Sequence, residues 1–170
     1  MPATTLQTLR DWLASEKVPF REVHHQPTTT SEESAQARGE ELRVGGKALV
    51  MRMADSFAVF VLPADRKADS GAIRRELQCG KLRFASREEL LETTGLVPGS
   101  VPPFGRPILP FPLYVDAAIT ENDRIAFNAG SLTDSMILGM ADYLRVARPD
   151  MVFAFSTAAT GSHFPGDIMP

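Results

Sequence analysis

The chain has 170 residues, of which 44% are hydrophobic and 23% charged, with 18 Lys+Arg against 21 Asp+Glu for a formal net charge of −3. That apolar content excludes wholesale disorder, and the acidic balance argues against a bulk electrostatic grip on duplex DNA, though not against contact with a nucleic-acid end through a local basic patch. The apolar runs Ala48–Met51 and Phe57–Leu62 fall far short of the ~20 residues a membrane span needs, no secretory signal is read at the N-terminus, and the lone Cys79 excludes an intrachain disulfide or a multi-cysteine zinc site, so a cytoplasmic address is expected.

In chain order, Leu6, Leu9 and Leu13 recur at helical spacing behind Thr4 or Thr5, predicting an amphipathic helix over residues 5–17 that Pro19 ends. Phe20–Val23 is a short strand candidate. Thr30-Ser31-Glu32-Glu33 matches a capping box, opening a helix from Ser31 to Arg38 that Gly39 stops. Lys47–Met53 and Phe57–Leu62, around a turn at Asp55-Ser56, read as a hairpin, and Pro63-Ala64-Asp65 as a connector. Asp69 or Ser70 caps a helix through Leu77, with Ile73 and Leu77 inward. Lys81–Ala85 is a strand, and Ser86-x-x-Glu89 is a second capping box, for a helix that ends at Gly95.

Six of the 13 prolines fall between Pro98 and Pro112, which predicts a shaped loop rather than an element. Leu113–Ile119, Ile125–Asn128 and Leu132–Leu138 read as an antiparallel meander. Met140–Val146 is a last helix, and the Gly/Ser/Thr/Pro-rich stretch after Pro149 reads as a tail. The sum is one domain over residues 1–147 with a tail over 148–170. Its class is α+β, a mixed and mostly antiparallel sheet with helices packed on it. No P-loop, G-x-G-x-x-G, G-x-S-x-G or H-E-x-x-H motif occurs.

Three segments could carry chemistry. Lys47 heads an apolar strand and shares a face with Leu49 and Met51; it is either an ammonium awaiting an anion or a lysine stem lying over apolar surface. Pro98-Gly-Ser-Val-Pro-Pro-Phe-Gly105 could offer backbone amides to phosphate or carbonyl oxygen, or could be a rigid crossover that packs Phe104. Around Gly130, which interrupts a strand pattern, Asn128, Ser131, Thr133 and Asp134 could line a pocket or simply edge a hairpin. His24 and His25 are adjacent and point to opposite faces of a strand, so no metal is expected there.

These segments, together with His25 through Gly39, Gly46-Lys47-Ala48-Leu49-Val50, the Ser86–Gly95 helix, Gly99-x-x-x-Pro103 and Phe127-Asn-Ala-Gly130, resemble the YbaK/prolyl-tRNA synthetase-associated domain family of aminoacyl-tRNA editing deacylases. The resemblance spans about residues 5–147. It implies a curved sheet closed partly into a barrel, and hydrolysis of the ester of a mischarged tRNA without metal or other cofactor. Lys47 matches the family's strand-start lysine near the terminal adenosine or phosphate. Gly99, with Pro103, matches the loop whose backbone positions the aminoacyl carbonyl. His25, Thr30, Asn128, Gly130, Ser131 and Asp134 fall among substrate-binding positions. A free hydroxyl of the terminal ribose is expected to help activate water, which suits an inventory without a triad.

Ala129 stands where some members carry serine, and the extension from Arg148 to Pro170, with His163, has no matched counterpart. The small residues around the expected pocket point to a small amino acid such as alanine, serine or cysteine. The partner implied is the 3′ end of an aminoacyl-tRNA, with no DNA and no membrane; an aminoacyl-tRNA synthetase and a second copy of the chain are further candidates. Two other functions remain open, a non-catalytic tRNA- or synthetase-binding module of the same fold and a hydrolase of small esters unrelated to tRNA.

Overall fold

The computed structural model describes residues 3–159. The first helix is α1 (Thr5–Ser15), whose N-cap Thr4 accepts from the Gln7 amide and whose Leu9 and Leu13 are buried. Strand β1 (Arg21–His24) follows, then α2 (Ser31–Arg38), which starts at a complete Thr30/Glu33 capping box and ends at left-handed Gly39. The expected hairpin is β2 (Gly46–Met53) and β3 (Ser56–Pro63), paired along their whole length from Gly46 opposite Pro63 to Met53 opposite Ser56. A short β4 (Arg66–Ala68) follows the expected connector, in residues to which the sequence reading assigns no element. Next come α3 (Ser70–Leu77), capped by Asp69, β5 (Leu82–Phe84), and α4 (Arg87–Thr94) with its Ser86/Glu89 capping box.

The proline-rich stretch carries no helix or strand before β6 (Leu113–Asp116), which is followed by β7 (Arg124–Asn128), β8 (Asp134–Gly139) and α5 (Met140–Ala147). The meander expectation fails at its first member. β7 and β8 are antiparallel neighbours, but β6 lies parallel to β3 in another sheet. The expected tail also yields structure: β9 (Met151–Phe153) pairs parallel to β6, and β10 (Ser156–Ala158) pairs with β4. His163 lies outside the described residues.

The strands form three sheets, ordered β1-β8-β7, β10-β4 and β5-β2-β3-β6-β9, and the expected partial barrel is not formed among the described residues. A single parallel bridge, Gly45 to Ala126, links the first sheet to the start of β2. The central hairpin is buried on both faces, which explains its continuous apolar runs. Ala48, Val50, Val59 and Val61 face one core with Leu9, Leu13, Leu90, Phe127 and Tyr143. Leu49, Met51, Phe60 and Leu62 face the other with Ile73 and Phe155. Alternation along each strand thus divides a single hairpin between two cores. No helix among the described residues is long and apolar enough to cross a membrane.

Candidate active site

Four segments meet at a cavity of about 420 Å³: the α2 start with the loop before it, the head of β2, the loop 97–101 and the end of β7. α2 supplies a polar stripe to it, because Ser31, Ser34 and Arg38 recur three and four residues apart and so share a face. The capping box fixes where that stripe begins. Thr30 Oγ1 accepts from the Glu33 amide at 3.1 Å, and Glu33 Oε1 accepts from the Thr29 amide at 2.9 Å and from the Thr30 amide at 3.2 Å. Those bonds, the one from the Thr29 amide first, hold the Glu33 carboxyl below its ordinary pKa. Thr28 Oγ1 and Ser34 Oγ lie 2.8 Å apart and close the loop onto the helix.

Arg38 is the buried charge of the site, only 7% exposed. Its Nε donates to Ser135 Oγ at 2.9 Å and its Nη2 to Asn128 Oδ1 at 2.9 Å. Asn128 and Ser135 stand directly opposite each other across β7 and β8, so one guanidinium clamps both strands. Asn128 then passes the link on, its Nδ2 donating to the Gly99 carbonyl at 2.7 Å. Gly45 packs beside this network: a Cβ there would crowd Ala64 Cβ at 3.1 Å and the Leu42 carbonyl oxygen at 3.2 Å, with Arg38 Nη1 in ordinary contact at 3.5 Å. Burial pushes the Arg38 pKa down to about 10, and it remains protonated at neutral pH.

Gly99 adopts φ +87°, a backbone state that L side chains rarely take. Its amide and that of Val101 donate no hydrogen bond among the described residues, and both residues line the cavity. Ser100 is committed to the turn: its Oγ donates to the Val97 carbonyl at 2.8 Å and accepts from the Val97 amide at 3.2 Å. Lys47, half-buried at the head of β2, lines the cavity, as does exposed Arg87 at the start of α4. Among the described residues the lining therefore holds three cations, Arg38, Lys47 and Arg87, and no carboxylate.

Of the residues expected from sequence, Thr30, Lys47, Gly99 and Asn128 come together at this cavity. The others lie outside its lining. Pro103 is buried at the far end of the loop, where its carbonyl accepts from Tyr143 Oη at 2.7 Å. His25 reaches the same network from behind, its Nε2 2.9 Å from Ser135 Oγ. Gly130, at φ +78°, packs on α1, where an added Cβ would lie 2.8 Å from Thr5 Cβ. Ser131 and Thr133 donate to Asp134 at 2.8 and 2.9 Å, and His24 Nδ1 lies 2.8 Å from the same carboxylate. Burial alone would raise the Asp134 carboxyl, but bonds with His24, Ser131 and Thr133 outweigh it and hold it below its ordinary pKa. Ala129 is fully buried in the core.

Sequence reasoning missed Arg38, Ser135, Arg87 and the Thr28/Ser34 pair. One signal was available. Ser34, Ala35 and Arg38 form the buried face of α2, and an arginine on such a stripe needs a polar place to go.

Comparison with known proteins gives the arrangement a family. The model of the aminoacyl-tRNA editing domain matches residues 25–146, which include α2, Lys47, the Gly99 loop and Asn128. The multifunctional Ser/Thr-tRNA deacylase ProXp-y of Escherichia coli K12 is 37% identical over 156 residues, covering 88% of this chain and 92% of that protein. A proline–tRNA ligase of Shouchella clausii is 34% identical over 100 residues, 59% of this chain but 17% of the ligase. A solved structure described as a candidate trans-editing enzyme for prolyl-tRNA synthetase shares the fold with a TM-score of 0.78 at 24% identity, over 94% of this chain and all of that one. The chain belongs to the aminoacyl-tRNA editing domain family.

Proposed function

We propose that the protein is a trans-editing deacylase that hydrolyses the ester of a tRNA carrying a small, hydroxyl-bearing amino acid. The observation that carries this reading is a cavity lined by Arg38, Lys47 and Arg87 with no carboxylate among the described residues, in a chain whose net charge is −3. Cations gathered against the overall charge suit a polyanionic ligand such as an RNA end. The hydroxyls of Thr28, Thr30, Ser31 and Ser34 on the same wall suit a polar side chain, and the Escherichia coli relative is named for serine and threonine. The cavity must hold the terminal ribose as well as the aminoacyl group, which leaves little room for a bulky side chain.

Ester hydrolysis needs a placed water, a proton acceptor and a home for the developing oxyanion. The amides of Gly99 and Val101 are the donors for that oxyanion, held in place because Asn128 grips the Gly99 carbonyl. Lys47 fixes the terminal nucleotide by its charge. The free hydroxyl of the terminal ribose, supplied by the substrate, relays the proton as water attacks the carbonyl carbon. The carbon–oxygen ester bond then breaks to free amino acid and tRNA.

The test is release of amino acid from seryl-, threonyl-, alanyl-, cysteinyl- and phenylalanyl-tRNA under identical conditions. Rapid release from the seryl and threonyl esters with slow release from the phenylalanyl ester is expected. Binding of the charged tRNAs without release from any of them would instead identify a non-catalytic module.

A further inference from the structure

Arg38 has hydrogen-bonding capacity that the fold does not use. A guanidinium carries five N–H donors, and here Nε is bound by Ser135 and Nη2 by Asn128. Nη1 donates to nothing among the described residues. No buried side-chain nitrogen or oxygen among them is left without a partner, so Nη1 is not sealed off, and it lies beside Gly45, where an added Cβ would be 3.5 Å from it. Arg38 and that same Gly45 both line the cavity, which puts Nη1 at its wall. A cation 93% buried, locked by two bonds and offering a free N–H to a cavity, is a built donor for a ligand oxygen.

The order of groups along the cavity says which oxygen. Arg87 is exposed and Lys47 half-buried, whereas Arg38 is the most buried of the three cations. A tRNA end enters with its aminoacyl group leading and its phosphates trailing toward solvent, so the deepest cation meets the amino acid. Within the amino acid, the carbonyl is the group assigned to the Gly99 loop. Asn128 stands between that loop and Arg38, bonded to both. Arg38 is therefore one residue removed from the carbonyl position, on the helix face whose Ser34 pairs with Thr28 of the preceding loop.

We infer that Arg38 is a specificity-determining residue, whose free Nη1 donates a hydrogen bond to the side-chain hydroxyl of the aminoacyl group. This inference rests on the deacylase reading. Guanidinium has no acceptor capacity, so the wall discriminates by a donor left unpaired: an apolar side chain of the same shape buries Nη1 against carbon, and such a mismatch is penalised far more than a change of size.

Threonine and valine are the pair to compare, being nearly equal in shape and differing by the hydroxyl. Deacylation of threonyl- and valyl-tRNA is measured with the full chain for the unaltered protein and for Arg38→Met, Arg38→Lys and Ser135→Ala. The unaltered protein is expected to favour the threonyl ester by roughly 100-fold or more in kcat/KM. In Arg38→Met that ratio falls to within about tenfold, whatever happens to the absolute rates. Arg38→Lys keeps the charge but not the fork; it gives the same fall and serves should the methionine variant fail to fold. Ser135→Ala loosens the guanidinium and gives a smaller fall.

The ratio decides because a merely structural role, or a contact to phosphate, lowers both rates together and leaves it unchanged. An unchanged ratio in both arginine variants overturns the inference while the deacylase reading stands. Equal rates on the two esters by the unaltered protein overturn it as well. Absence of release from any aminoacyl-tRNA, seryl included, removes the deacylase reading and the inference with it.

Discussion

Gly99 and Ser100 are neighbours with opposite roles. Gly99 meets the cavity in a left-handed conformation, while Ser100 has its hydroxyl tied into the turn at Val97. Gly99→Val places a branched side chain at φ +87°, with its Cβ 3.4 Å from Leu132 Cδ2. It is expected to cut deacylation at least ~100-fold, about the cost of losing an oxyanion donor. Ser100→Ala is expected to leave the rate within about threefold and to lower stability by about 1 kcal/mol. The reverse pattern, a dead Ser100→Ala that still melts normally beside an active Gly99→Val, would mean a serine nucleophile. Lys47 and Gly99 are legible in the sequence because each breaks a local pattern, a cation at the head of an apolar strand and a glycine amid prolines. For Arg38 the inward stripe of α2 is the one local signal, and its place in the site is not legible because its partners Asn128 and Ser135 lie 90 and 97 residues away. Gly130, Ser131 and Asp134 look from sequence like neighbours of Asn128 in one pocket, but the β7–β8 turn carries them to α1 and His24 instead.

Elements with their own punctuation are read well. Both capping boxes, the Asp69 cap and the glycines after α2 and α4 place helix ends almost to the residue, because caps are local hydrogen-bond chemistry. Strands β4, β9 and β10 have three residues each, too few for a period to show. β6 was found as a strand and misplaced, since its parallel partner β3 is some fifty residues upstream and alternation says nothing of partners. One contact between elements bears on function. Fully buried Tyr143 in α5 donates to the Pro103 carbonyl at 2.7 Å, pinning the far end of the Gly99–Pro103 loop. Tyr143→Phe keeps the ring packing on Phe104 but leaves that carbonyl unpaired in the core. We expect a loss of about 1–3 kcal/mol in denaturant unfolding, with a lower kcat as the loop loosens. Unchanged stability would show that the hydroxyl is dispensable.

At the scale of the molecule, the two cores divided by the central hairpin explain where the cavity sits. β2 is buried on both faces through its middle, and its head, Gly46 to Ala48 with Gly45 just before it, meets the polar groups of the cavity. There the bridge from Gly45 to Ala126 brings the β1-β8-β7 sheet alongside, with Asn128 two residues on. Half-buried Lys47 and exposed Arg87 stand outside the buried Arg38 there, in a chain of net charge −3, and Lys47 is a direct probe of the deacylase account because it is the residue assigned to hold the RNA end. The decisive measurement is the rate of serine release from seryl-tRNA at sub-saturating substrate, for the unaltered protein and for Lys47→Ala side by side, with thermal melts of both. The account predicts rapid release by the unaltered protein and a rate lower by roughly 10- to 150-fold in the variant, the worth of a charge-assisted contact of ~1.5–3 kcal/mol, at an unchanged melting temperature. Equal rates from two equally stable proteins, or no release by the unaltered one, would contradict it.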